Sequence, residues 1–84
     1  MANNGFCSNE QIIKLVQKRY KHLGIHITPF MAYLEEYIEY LRVHAFKENF
    51  DMNEIAQMAR FNWKMLKKNE KMRYMSIAIH ADIS

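Results

Sequence analysis

Apolar residues recur along most of this chain at steps of three and four, the period of a helix packed on one face. Ile12, Val16, Tyr20 and Leu23 form the first stripe, widened by Ile13 and Leu15. Ser8 followed by Gln11 fits a capping box, and Gly24 suits a left-handed helix end. The pattern predicts a helix over 9–23, exposed on the side of Lys14, Lys18 and Lys21, and then a short link at 25–28 open to an extended conformation. Thr28-Pro29 opens a second helix at a position where the missing N–H of proline costs nothing. Phe30, Tyr33, Leu34, Tyr37, Ile38 and Leu41 make its continuous stripe. Tyr40, Val43 and Phe46 fall outside that stripe, so this helix is expected to pack on more than one side. A break at Asn49 to Asp51 and the capping pair Asp51/Glu54 lead into a third helix, buried through Ile55, Met58, Ala59, Trp63 and Leu66. After the polar turn Lys67-Lys68-Asn69, Asn69 is placed to cap a last helix with Met72, Met75, Ile77, Ala78 and Ile79 on its apolar side. The fold class is all-α.

Composition narrows the class further. At 84 residues, half of them apolar and 13% aromatic, the chain has material for one ordered domain. Two glycines and one proline are too few for an all-β sandwich or barrel. The single cysteine, Cys7, cannot close an internal disulfide, so a reducing, intracellular setting is expected. No apolar run approaches the roughly 18–20 residues of a membrane span, and Met1 to Phe6 lacks the blocks of a signal peptide. No Gly-rich phosphate loop or nucleophile–base motif is visible, and a chain this short leaves little room for a deep cleft. The expectation is a binding module, not an enzyme, without a cofactor. His22 and His26 have metal-binding helical spacing, but Gly24 lies between them and no ligand partner is near in sequence, so no metal site is expected. Adjacent Glu35 and Glu36 point about 100° apart on a helix and do not share a proton. The seven methionines fit core filling better than an adaptable groove.

Charge is segregated along the chain. Residues 1–28 carry a net +3 through Lys14, Lys18, Arg19 and Lys21. Residues 29–62 carry −3, with Glu35, Glu36 and Glu39 together. Residues 63–84 return to +3 through Lys64, Lys67, Lys68, Lys71 and Arg73. A polyanion would be drawn to the two ends and repelled by the middle.

One string of residues stands out: Pro29-x-x-Ala32-Tyr33, then Glu54-Ile55-Ala56, Trp63-Lys64-x-Leu66 and Glu70-Lys71-x-x-Tyr74. In type, order and spacing it resembles the HMG (high mobility group) box, over about 50 of the 84 residues. The resemblance implies an L-shaped three-helix box over 26–84, its first two helices antiparallel, its third leaving at an angle, and Trp63 with the aromatics of 33–41 filling the elbow. Residues 1–25 then form an extension whose extra helix packs on the core. The family binds the DNA minor groove and inserts apolar wedges that unstack and bend the duplex. Carried onto this chain, the wedges are Leu34 and Met52, with Met31 and Asn53 as further DNA-contact candidates. Lys64, Lys67, Lys68, Lys71, Arg73, Lys14, Lys18, Arg19 and Lys21 supply phosphate contacts. The implied partner is double-stranded DNA, bent forms favoured, with little sequence preference, in nuclear chromatin and transcription regulation.

The chain also departs from the pattern. His26, Ile27 and Thr28 stand where boxes carry Lys or Arg, Met31 replaces a small polar residue, and Glu35, Glu36 and Glu39 lie beside the first wedge. The link between the first two box helices lacks its proline, and the last helix is short. These departures support a second reading, a box fold used for protein interaction. Its contact surface would be the acidic face of the Pro29 helix or the apolar surface of Tyr40, Val43 and Phe46.

Overall fold

The computed structural model describes residues 6–44 and 51–83 of the chain, and these are all-helical. The predicted break at 49–50 and the candidate contact Phe46 lie outside the described residues. Helix α1 spans Asn9–Tyr20, α2 Pro29–His44, α3 Met52–Met65 and α4 Lys68–Ile83.

Local chemistry explains the ends. The Gln11 N–H donates to the Ser8 hydroxyl at 3.1 Å, the cap expected from the sequence. The last turn of the predicted 9–23 helix tightens into a 3-10 turn, Lys21–Leu23, which Gly24 closes at φ 69°. Thr28 caps α2 by accepting from the Met31 N–H at 3.3 Å. The Asp51 carboxylate accepts from the Asn53 N–H at 2.9 Å and starts α3. The start of α4 differs from expectation, because Asn69 already lies inside the helix. Glu70 takes the capping role, its carboxylate accepting the Lys67 N–H at 2.8 Å.

Helix α2 is the central strut, with the other three packed around it. Phe30 and Tyr33 lie 6.0 and 5.5 Å from the Trp63 ring, so the end of α3 packs on the start of α2. Glu35 meets Arg19 and Tyr20 near the end of α1, while Phe6, just before α1, meets Tyr40 and His44, so α1 runs antiparallel to α2. Asn9 contacts Arg73 and Lys21 contacts Ala81, so α1 runs parallel to α4. The main core lies between α1, α2, α4 and the link, where Ile12, Val16, Ile27, Ala32, Tyr74, Ile77, Ala78 and Ala81 are buried with Cys7. Ile12, Val16, Ile27 and Ile77 are almost completely buried. Each contributes about 1.5–3 kcal/mol relative to exposure.

Three sequence expectations change here. In α2 the aromatic stripe is only half-buried; the fully buried face is the opposite one, Ala32, Glu35 and Glu36, beneath α1 and α4. In α4 the core side is Tyr74, Ile77, Ala78 and Ala81, while Met72, Met75 and Ile79 face water. Met58, also expected on a buried face, is exposed on α3. The reason is shared. Each of these helices carries apolar residues around much of its circumference, so periodicity alone does not choose the inward face.

The α4 assignment is checked by two truncations of the same residue type. Ile77→Ala should cost about 2–5 kcal/mol in urea denaturation, whereas Ile79→Ala, on the exposed face, should stay within about 0.5 kcal/mol of the parent.

Candidate nucleic-acid interface

The acidic side chains of α2 determine which charges remain at the surface. Glu36 is 5% exposed and lies at the junction of three segments. Its carboxylate accepts the Cys7 backbone N–H at 2.7 Å, the Tyr74 hydroxyl and, more loosely, the Arg73 guanidinium at 3.4 Å. Arg73 also donates to the Cys7 carbonyl at 2.8 Å and to the Asn9 side chain at 2.9 Å. Glu35, 3% exposed, is held by Arg19 at 2.7 Å and by the Tyr20 hydroxyl at 3.2 Å. Glu39 pairs with Arg42 one turn along. The expected exposed acidic face is therefore corrected for Glu35 and Glu36, which are interior groups with every buried oxygen satisfied. Adjacent residues on a helix point in different directions, and here one reaches α1 and the other α4.

These pairs shift their neighbours. Burial, then the bond and charge of Glu36, push the Tyr74 hydroxyl well above the usual tyrosine range. Burial, then Glu35, push Tyr20 up in the same direction. Burial, with Glu36 and Glu39 adding, pushes the Cys7 thiol up to about 11. At the other end of the core, the Ile27 backbone N–H, with His26 and Lys21 adding, holds Asp82 below the usual carboxylate range. His26 lies 2.6 Å from that carboxylate, and Lys21 donates to the Ala81 and Asp82 carbonyls at 3.0 and 3.1 Å. A cation thus sits on the negative end of the α4 dipole.

The candidate DNA-contact residues divide accordingly. Arg19 and Arg73 are committed to Glu35 and Glu36, and Lys21 to the end of α4. Lys71 is half-buried with its ammonium 5.5 Å from the Trp63 ring centre. Lys14, Lys18, Lys64, Lys67 and Lys68 are exposed and in no ion pair among the described residues. Met52 is 49% exposed at the start of α3, with Asn53 exposed beside it. Leu34 is half-buried on α2. Met31 is half-buried against the core, where its sulfur accepts the Thr28 N–H.

Trp63 is half-buried among Phe30, Tyr33 and Tyr74, with its ring 6.0 Å from Tyr74. This aromatic group links α2, α3 and α4. Among the described residues no cluster of His, Cys, Asp and Glu is arranged to hold a metal ion, and no helix is long and apolar enough to cross a membrane. No family model, curated protein or solved structure matches the chain.

The ion-pair network was not foreseen from the sequence. Its signal was present in Ala32, Glu35, Glu36 and Glu39, which share the side of α2 opposite the aromatic stripe, while basic residues flank α1 and α4.

Two measurements follow. Cys7 should resist thiol reagents in the folded protein and react at the ordinary rate once urea unfolds it, since the thiolate is the reactive form. Tyr20 and Tyr74 keep their protons to higher pH when folded than when unfolded. Cys7 keeps its proton in the same way, so stability should be intact below about pH 8.5, the ordinary thiol value, and fall above it, more steeply beyond about pH 10 where tyrosine ordinarily ionises; urea midpoints at neutral and alkaline pH test this.

Proposed function

We propose that the chain is an atypical HMG-box domain that binds double-stranded DNA in the nucleus, wedging into the minor groove with little sequence preference. The observation that carries this reading is the pairing of Glu35 with Arg19 and Glu36 with Arg73 inside the fold. Acidic side chains beside the first wedge would repel the phosphate backbone and cancel the term that dominates nonspecific affinity. Buried and paired, they do not meet a phosphate. The lysines in no ion pair remain outside, and Met52 stands clear of the core for insertion between base pairs. The meeting of Trp63 with Phe30, Tyr33 and Tyr74 supports the same reading, since the resemblance assigns Trp63 to the elbow.

A second reading, a box fold that binds a protein partner, draws on a different surface from the one expected. Glu35 and Glu36 are unavailable for it. Met72, Met75, Ile79 and Ile83 form an exposed stripe along α4, and Met58, Phe61 and Met65 are exposed on α3. Tyr40 and Val43 of the anticipated apolar surface are also exposed. Methionine-rich surfaces of this kind adapt to partners.

Fluorescence anisotropy on linear and four-way-junction DNA at two salt concentrations separates the two. The expected result is binding that weakens steeply with salt. Lys64, Lys67 and Lys68 changed together to Ala should lower the salt slope by about 2–3, one phosphate each. Met52→Asp, at an exposed position that leaves folding intact, should weaken junction binding by about tenfold, or 1.4 kcal/mol. No binding at low salt by a folded sample would overturn the DNA reading in favour of the protein partner.

A further inference from the structure

The outer side of α4 carries an apolar stripe. Met72, Met75, Ile79 and Ile83 are 57, 50, 54 and 77% exposed, and their spacing keeps them on one side of the helix. Lys68, also exposed, stands in line one turn ahead of Met72. Exposed apolar patches on small domains mark contact surfaces. The two ends of this stripe differ in shape. Beside Ile79 and Ile83 a hollow of about 330 Å³ opens between α4 and the link before α2, walled by Ile27, Pro29, Met75 and Asp82. At the other end stands Met72, a long, unbranched and adaptable side chain.

Charge is divided in the same way. The Asp82 carboxylate accepts the Ile27 N–H at 3.3 Å, meets His26 at 2.6 Å and is still 29% exposed at the wall of the hollow. The opposite end of the helix carries Lys68 and Lys71. At 3.6 residues per turn, Lys71 and Asp82 fall within about 20° of each other around α4, about three turns apart on one flank of the stripe. A helix turned end for end against a copy of itself brings each Lys71 across from the other Asp82.

We infer that two copies of this chain pair through α4, antiparallel, about a two-fold axis level with Ile77. Met75 of one copy then lies opposite Ile79 of the other. Met72 enters the hollow beside Ile83, and Lys71 lies across from Asp82, each contact occurring twice. Parallel pairing is worse, since it sets Lys68 against Lys68 and Lys71 against Lys71 and aligns the helix dipoles. A second copy suits the stripe better than an unrelated partner, because projecting end and hollow, cation and carboxylate, are all present on the one helix. Three turns of helix bury less than about 1,200 Å² in total, the size of weak and transient contacts, so monomer and dimer exchange with concentration. The proposed wedges Leu34 and Met52 lie on other helices, so the pairing goes beyond the DNA reading and does not depend on it.

Sedimentation of the chain without DNA tests the pairing. The wild-type chain should pass from monomer to dimer across the micromolar range. Ile79→Asp should weaken dimerisation by about tenfold or more, because it buries an unpaired carboxylate at the contact. Ile83→Asp, at a still more exposed position, should do the same, whereas Met65→Asp, exposed on α3, should leave the dimer intact. All three should keep a native circular dichroism spectrum. A short bismaleimide reads the direction of pairing. Met72→Cys and Ile83→Cys chains should crosslink when mixed and not when alone, because identical positions stand roughly 15–18 Å apart along the axis. Cys7 is buried and stays silent. A wild-type chain that remains a monomer throughout would overturn the inference and leave the DNA reading standing. So would a dimer that survives Ile79→Asp and Ile83→Asp, loss of the dimer in Met65→Asp, or Met72→Cys crosslinking to itself as strongly as in the mixture.

Discussion

Two glutamates buried side by side on one helix hold this fold in register. Removing a carboxylate from water is costly unless it gains charged or hydrogen-bonding partners in good geometry. Glu35 and Glu36 gain them from separate directions, Arg19 and Tyr20 of α1 on one side, Tyr74 and Arg73 of α4 and the Cys7 backbone on the other. A slide of α1 or α4 along α2 by one turn would leave a charge buried without its partner. The apolar contacts of Ile12, Val16, Ile27 and Ile77 supply the driving force for collapse. The carboxylates restrict that collapse to one alignment, because hydrogen bonds have direction and apolar burial does not.

The same pairs reshape the surface. A map of charge along the chain shows a basic–acidic–basic sequence, which argues against a polyanion meeting the middle. In three dimensions much of that acid is internal. Arg73 goes inside with it and Arg19, half exposed, is turned to Glu35, while lysines on the outer side of α1 and around the α3–α4 turn stay in no ion pair among the described residues. The aromatic group of Phe30, Tyr33, Trp63 and Tyr74 performs a different task, joining α3 to the rest through ring contacts with α2 and α4. The two clusters flank α2, one charged and one aromatic, and together they explain why a single helix supports three neighbours.

Much of this was legible in the residues. The helices at 9–20, 29–44, 52–65 and 68–83 follow from stripes and caps, and Ser8, Thr28, Asp51 and Gly24 act where their chemistry places them. Trp63, expected beside the aromatics of α2, meets Tyr33 and also Tyr74. Less legible was the direction in which each helix faces. Met72, Met75 and Ile79 fit an apolar side as well as Ile77 and Ala78 do, and a hydropathy pattern ranks the larger residues first. The structure buries Tyr74, Ile77, Ala78 and Ala81 instead, because that is the side of α4 turned to α1 and α2.

The chain by itself determined its helices and most of their ends, because those depend on neighbours within a few residues and on one periodicity. Only the tertiary structure decided that Glu35 and Glu36 are interior and that Arg19 and Arg73 are committed. Those outcomes turn on which residues meet across gaps of 15 to 38 positions in the chain. The free energy of a carboxylate is set by what surrounds it, and its surroundings exist only once the helices have packed.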